Sequence, residues 1–144
     1  MGGAFAAPFF STFKPDKTME NIAIAKTAEL LKNSGFKQPK PNRGQAWYSI
    51  TDICVIVTGE KEGRILVANK NGDGIVEVDI PQFVEDFKFA PTAPDILAEM
   101  KNHWVLEFWS LSGEWICRHI QGATFYCKNP AEAAAMAWLE KYAK

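Results

Sequence analysis

The sequence predicts an α+β protein whose helices and antiparallel strands follow the order α-βββ-α-βββ-α. Three observations carry this prediction. Short, turn-bounded runs of apolar and β-branched residues indicate antiparallel strands. Three longer segments have apolar residues every three or four positions, which indicates helices that bury one side. The last third of the chain combines both patterns, so we expect a three-stranded meander closed by an amphipathic helix.

The first helix is predicted over residues 18–33. Thr18 can cap its N-terminus, and Glu20 lies in the first turn, where the helix dipole favours negative charge. Gly35 suits the left-handed position that follows many helices, and Phe36 can make the accompanying apolar contact. The apolar stripe of this helix comprises Met19, Ile22, Ala23, Ile24, Ala28 and Leu31.

A loop with two prolines, residues 37–44, separates this helix from the strands of the first half. A candidate short strand at residues 47–50 precedes the three predicted strands at 53–58, 64–68 and 75–80. Polar turns at 60–63 and 70–74 connect these three strands. Valines alternate with acidic residues in the last strand, which predicts one solvent-facing side. Pro81 ends that strand, and residues 81–91 fit either a short helical turn or an extended run.

A second helix is predicted over residues 93–102, with Asp95 in its first turn. The strands of the meander follow at 104–111, 115–120 and 123–128, joined by two-residue turns at Ser112-Gly113 and Gln121-Gly122. Such turns fix the register of a hairpin. Cys117 is therefore expected to pair with Phe108 and with Tyr126. The last helix begins at Asn129, with Pro130 at its first position.

This register gives the meander two faces, and both are too apolar to meet water. One face is mainly aliphatic and suits a core; it carries Val105, Trp109, Ile116, Ile120, Ala123, Phe125 and Cys127, with a Glu107–Arg118 pair. The other has aromatic rings with polar tips, which are common at binding surfaces. It carries Trp104, Leu106, Phe108, Trp115, Cys117, His119, Thr124 and Tyr126. The candidate binding residues are Trp104, Trp115, Cys117, His119, Thr124 and Tyr126.

The C-terminal helix can cover only one of these faces. The other must be covered by the first two helices, by the N-terminal arm or by a partner chain, because a bare face would exceed the apolar patch that a monomer tolerates. The arm, residues 1–17, is apolar and supplies four candidate interface residues, Phe5, Phe9, Phe10 and Phe13. Residues 18–144 are predicted as a single α+β domain. Its element order suggests an α-βββ pseudo-repeat of 18–90 and 92–144.

Composition excludes several classes of function. The chain has 144 residues and a net charge of −1, which argues against broad nucleic-acid binding but leaves room for a local basic patch. Its three cysteines are too few and odd in number for a disulfide framework, and the absence of a Cys-x-x-Cys spacing argues against a zinc site. The longest aliphatic run, 53–57, is far too short to span a membrane. We expect a cytoplasmic protein with reduced thiols, no metal, no cofactor and no membrane or nucleic-acid partner.

Two chemical interpretations of the sequence do not hold. Cys117 and His119 share one side of a strand, but such neighbours lie roughly 7 Å apart and no third orienting group is evident, so we predict no catalytic residues. Residues 69–74, Asn-Lys-Asn-Gly-Asp-Gly, resemble the start of an EF-hand loop. The twelfth position is Ile80, where a bidentate Glu is required, and the flanks read as strands. We therefore predict a turn without calcium.

The sequence thus favours a non-enzymatic protein-binding or assembly module, which binds a protein partner or itself. The alternative is a small enzyme or ligand-binding protein that uses the sheet face of Cys117, His119 and Tyr126. The compact, accessory-like character would also suit a phage or mobile-element protein. An open pocket on the aromatic face would favour the enzyme or ligand-binding alternative. If other side chains fill that face, only the assembly module remains.

Overall fold

The computed structural model describes residues 21–69, 74–101 and 103–143, which form two compact units. The first, here the N-unit, is Ile24–Ala90. The second, here the C-unit, begins at Pro91 and also includes the residues just before Ile24. Both units combine helices with antiparallel sheets, which confirms the α+β class. The predicted arm 1–17, the Thr18 cap, Glu20 and Met19 lie outside the described residues.

The N-unit contains a five-stranded antiparallel sheet with the strand order β4-β3-β2-β1-β5. Its elements are α1 (Ala25–Asn33), β1 (Ala46–Tyr48), β2 (Cys54–Lys61), β3 (Arg64–Asn69), β4 (Ile75–Asp79), α2 (Ile80–Asp86) and β5 (Lys88–Phe89). The first half therefore has one more helix and more strands than the predicted α-βββ order. The pseudo-repeat stays a prediction.

Helix α1 starts later than predicted and ends as predicted. Ala23 donates its backbone N–H to the carbonyl of Pro91 at 2.9 Å, and Ile22 forms a β-bridge with Thr92. This pairing holds the chain extended just before α1, so Ile22 and Ala23 do not belong to its apolar stripe. At the other end Gly35 has φ 94°, and the Phe36 N–H reaches the Leu31 carbonyl at 2.8 Å. That bond is the signature of a Schellman ending.

The β2–β3 hairpin has a tighter turn than predicted. Lys61 pairs with Arg64, which leaves only Glu62 and Gly63 in the loop. Their φ values are 52° and 80°, and positive values at both positions define the type I′ turn that matches the twist of a hairpin. Strand β2 consequently continues beyond the predicted limit at residue 58.

The segment after β4 is helical. Pro81 lies in the first turn of α2, where a missing N–H costs nothing, and it therefore helps to start a helix instead of only ending a strand. The prediction that only one side of β4 faces solvent is wrong, because Val76, on the side expected to be buried, is 61% exposed. As the edge strand of its sheet, β4 is paired only with β3. The predicted turn at 70–74 lies outside the described residues except for Gly74.

The core of the N-unit is built around aromatic rings. The Trp47 ring meets Phe83 edge-on at a centroid distance of 4.8 Å and lies 5.3 Å from Phe89. Its indole N–H donates to Gln45 Oε1 at 3.0 Å, so the buried polar atom is satisfied. These contacts join β1, α2 and β5 into one layer of packing.

A lysine ties α1 to the end of α2. The Lys32 ammonium donates to the backbone carbonyls of Val84, Glu85 and Phe87, at 3.0, 3.0 and 2.9 Å. The last carbonyls of a helix have no partner within it, and a cation there also complements the helix dipole. Lys32 therefore acts as a C-cap for α2, supplied from a different helix.

The C-unit confirms the predicted meander and closing helix. Its elements are α3 (Ala93–Ala98), β6 (Trp104–Trp109), β7 (Glu114–His119), β8 (Thr124–Cys127) and α4 (Pro130–Tyr142), and the three strands form one sheet in the order β6-β7-β8. Thr92 and Asp95 form a capping box at the start of α3. That helix is shorter than the predicted 93–102. Asn129 Oδ1 accepts the Ala131 N–H at 2.8 Å and caps α4.

The two hairpins of the meander differ from the predicted register in different ways. In the first, Phe108 pairs with Trp115, and the last pair, Trp109 with Glu114, leaves a loop of four residues. The shift of two positions leaves every side chain on its predicted face. In the second, Cys117 pairs with Phe125, one position from the prediction. A shift of one reverses the face of the whole strand. Thr124 and Tyr126 therefore do not share a face with Cys117 and His119.

The second loop explains this shift. His119 donates its backbone N–H to the Ala123 carbonyl at 2.7 Å, so three residues, 120–122, form the loop. Gly122 has φ 122°, a conformation that L-residues rarely adopt. The sequence Gln121-Gly122 thus belongs to a three-residue connection and not to the two-residue turn expected from it.

Candidate functional site

Helix α4 covers the meander face that carries most of the predicted binding residues. Trp104 donates its indole N–H to Tyr142 Oη at 3.0 Å, which fixes the end of α4 against β6. Cys117, in the middle strand of this face, is 0% exposed, and Trp115 is buried. The two residues predicted for binding at the centre of this face therefore belong to the core. We call this surface the covered face; its members from β6 and β7 are Trp104, Leu106, Phe108, Trp115, Cys117 and His119.

The Cys117 thiol is poorly placed for nucleophilic chemistry. Burial raises its pKa to about 11, so the thiol is protonated at neutral pH. Tyr126, expected opposite it, lies on the other side of the sheet because Ile116 is its partner. The covered face thus lacks the combination of Cys117, His119 and Tyr126 on which the sequence-based alternative depended.

A cleft remains where α4 ends beside the second hairpin. Its volume is about 410 Å³, and it is lined by Trp104, His119, Gln121, Ala123, Lys141 and Tyr142. Trp104 and His119 were predicted as binding residues; Lys141 and Tyr142 were not. The sequence could have indicated Tyr142, because Ala135, Trp138 and Tyr142 recur every three or four positions and form one apolar stripe of the last helix. Lys141 has no such signal, since exposed lysines are common in the last turn of a helix.

Hydrogen bonds fix the orientation of the polar groups in this cleft. Tyr142 Oη accepts from the Trp104 indole and from the Lys101 backbone N–H, at 3.0 and 3.2 Å. His119 Nδ1 accepts the Gln121 backbone N–H at 3.1 Å. The His119 ring also meets Trp104 edge-on at a centroid distance of 5.1 Å. The second histidine, His103, is 6.1 Å from His119 between ring centroids.

The opposite side of the meander, here the open face, was expected to be core. It carries Val105, Glu107, Trp109, Ile116, Arg118 and Tyr126. Trp109 is 50% exposed, Tyr126 54% and Val105 37%. The expectation of a core is wrong at the exposed positions of this face, because α4 packs against the covered face. Ile116, in the middle strand, is nevertheless only 3% exposed.

An ion pair crosses the open face. Arg118 Nε donates to Glu107 Oε1 at 3.0 Å, between diagonal neighbours on β6 and β7. The hydrogen bond from Arg118 holds the pKa of Glu107 below its ordinary value of 4.5, although burial acts in the opposite direction. The open face therefore combines exposed apolar side chains with one ordered pair of opposite charges.

The remaining predicted site residues have other outcomes. Thr124 Oγ1 donates to the Gly122 carbonyl at 3.0 Å and so supports the second loop. Phe5, Phe9, Phe10 and Phe13 lie outside the described residues, and their interface role stays a prediction. Binding by Trp104, His119 and Tyr126 also stays a prediction.

The described part of the chain offers neither a cluster of metal ligands nor a membrane-spanning helix. Within it, no group of three or more His, Cys, Asp or Glu side chains could hold a metal ion. The calcium-like segment lies largely outside it, but the flanking elements are the strands β3 and β4, as predicted. None of the described helices has both the length and the apolar character needed to cross a membrane.

No protein-family model, no curated protein and no solved structure matches this chain.

Proposed function

We propose that this chain is a non-enzymatic assembly module that associates with a second copy of itself through the open face of the C-unit. The observation that carries the proposal is the half-exposed pair of aromatic rings, Trp109 and Tyr126, on the regular strands β6 and β8. Aromatic residues held on rigid backbone supply much contact area at little entropic cost. The small-enzyme alternative is not proposed, because Cys117 is buried and Tyr126 lies on the other side of the sheet.

The charges of the open face favour a second copy over an unrelated partner. In a two-fold symmetric pair each surface meets itself, so a patch must be self-complementary. Glu107 and Arg118 supply one charge of each sign, and each can face its opposite on the other copy. The net charge of −1 adds little repulsion between copies.

The size of the face sets the expected strength. Strands β6 and β7 have six residues each. At roughly 3.3 Å per residue and about 4.8 Å per strand, the three strands span ~300 Å². A standard-size interface buries ~800 Å² per partner, so association through this face alone should be weak, with half-association at protein concentrations on the order of 100 µM or above.

Sedimentation velocity over a wide range of protein concentration tests the proposal. The full chain should shift from monomer toward dimer as concentration rises, and Tyr126→Glu should abolish the shift because it places a desolvated charge in the interface. Met136→Glu is the matched control: Met136 is 43% exposed on α4, and the substitution makes the same change of charge away from the open face. A monomer at every concentration overturns the proposal, as does an equal effect of the two variants.

A charge exchange makes the test specific for two-fold pairing. The double variant Glu107→Arg/Arg118→Glu keeps the ion pair within each copy and should still associate with itself. Mixed with the unmodified chain it should associate poorly, because like charges then face each other. If mixed dimers form as readily as the parent ones, the ion pair is not at the interface.

A further inference from the structure

We infer that the cleft at the end of α4 is a binding site for a small planar carboxylate, such as an aromatic acid. This site is independent of the proposed self-association, because it lies on the covered face and not on the open face. The inference rests on three features of its lining: the polarity of its hydrogen-bonding groups, the sign of its charge and the aromatic character of its wall.

The hydrogen-bonding groups of the cleft are mainly donors. The His119 Nδ1 atom already accepts a backbone N–H, so a neutral ring carries its proton on Nε2 and can only donate there. Tyr142 Oη already accepts hydrogen bonds from two N–H groups, so the hydroxyl can contribute to a ligand only by donating its own proton. Lys141 can only donate. A ligand that supplies acceptor oxygens therefore fits this set of groups.

The charge of the cleft favours an anion. None of the six lining residues is acidic, and Lys141 supplies a full positive charge. The C-terminal end of a helix opposes an anion with roughly half an elementary charge, and this effect falls off within the last turn. The Lys141 ammonium is the larger of the two contributions, so the net preference is for a negative group. An ammonium–carboxylate contact is also a charge-assisted hydrogen bond, which is about twice as strong as a neutral one.

The wall of the cleft favours a flat apolar body. The Trp104 and His119 rings meet edge-on and form one aromatic corner. The Trp104 indole N–H is already bound to Tyr142, so the ring is held in place and offers its apolar surface. Planar ligands bind well against such fixed aromatic surfaces, with a few polar groups setting their orientation.

The test uses benzoate as the probe and benzamide as its uncharged analogue. The full chain, labelled with nitrogen-15, is titrated with each compound while the amide and indole resonances are followed by NMR. We expect saturable shifts of the Trp104 indole N–H and the Gln121 amide with benzoate, in the millimolar range. Benzamide should bind at least about tenfold more weakly, because it lacks the charge that Lys141 recognises.

A pair of lysine variants distinguishes the site from general surface charge. Lys141→Gln should weaken benzoate binding roughly fivefold or more, since it removes the charge and keeps the polar stem. Lys128→Gln is the matched control, because Lys128 is exposed and lies just before the other end of α4, about 20 Å away. Equal binding of benzoate and benzamide, equal effects of the two variants, or shifts that do not saturate would each overturn the inference.

Discussion

Lys32 offers the sharpest test of how the N-unit is held together. The substitution Lys32→Met keeps an apolar stem of similar length and removes the ammonium that caps the end of α2. Three backbone carbonyls then lose their donor. We expect the variant to fold with the same secondary structure and with a lower free energy of unfolding.

The magnitude follows from the exposure of each bond. The bonds to Val84 and Glu85 are exposed, so water replaces most of what they contribute. The bond to Phe87 is partly buried, and such a charge-assisted bond contributes about 1.5 kcal/mol, to which the helix dipole adds about 0.5 kcal/mol. Burial lowers the pKa of Lys32, so desolvation of the ammonium offsets part of the gain from the exposed bonds. The expected loss is about 2 kcal/mol rather than the sum of three full bonds.

Equilibrium urea unfolding followed by far-UV circular dichroism measures this loss. Lys26→Met is the control, because Lys26 is exposed on the same helix and the change in charge and side chain is identical. We expect the control to change the free energy of unfolding by less than about 0.5 kcal/mol, as exposed positions usually do. If Lys32→Met costs no more than Lys26→Met, the three carbonyl bonds do not stabilise the fold and the capping argument is wrong.

Two further predictions concern the faces of the meander. Cys117 should resist alkylation by iodoacetamide in the native protein and react only on unfolding, because it is buried and its pKa is raised to about 11. Mass spectrometry should find Cys54 and Cys127 modified first. Early labelling of Cys117 would contradict its burial. Glu107→Gln should lower the melting temperature near neutral pH and lose this effect in acid. The pKa of Glu107 in the folded protein lies below its ordinary value of 4.5, so the stabilisation is present above that ordinary value and is lost as the pH falls through the lower, folded pKa. A melting difference that does not change with pH would contradict the ion pair.

Local patterns predicted the elements of this chain better than their contacts. The meander and its closing helix follow from turn residues, alternation and a capped helix start, all of which act within a few residues. The start of α1 could not be predicted in this way, because the pairing of Ile22 with Thr92 joins segments far apart in sequence. The same holds for Lys32, whose three acceptors lie more than 50 residues away.

The candidate sites show why register matters more than pattern. An error of two residues in the first hairpin left the faces intact, whereas an error of one in the second moved Tyr126 to the other side of the sheet. Gln121-Gly122 is compatible with loops of two or three residues, and sequence alone does not choose between them. Trp104 and His119 were identified as binding candidates from alternation. The cleft that contains them also needs Lys141, which only the three-dimensional meeting of α4 and the hairpin brings near.

The hydrogen bond between Ala23 and Pro91 has a consequence for the modular organisation of the chain. Ala23 precedes the first residue of the N-unit, and Pro91 follows its last, yet their backbones are 2.9 Å apart. The C-unit thus contains segments from both sides of residues 24–90 in the sequence, and the two ends of that insertion lie side by side. Domain insertions are tolerated best where the two ends of the insert lie close together, and the junctions of residues 24–90 have that arrangement.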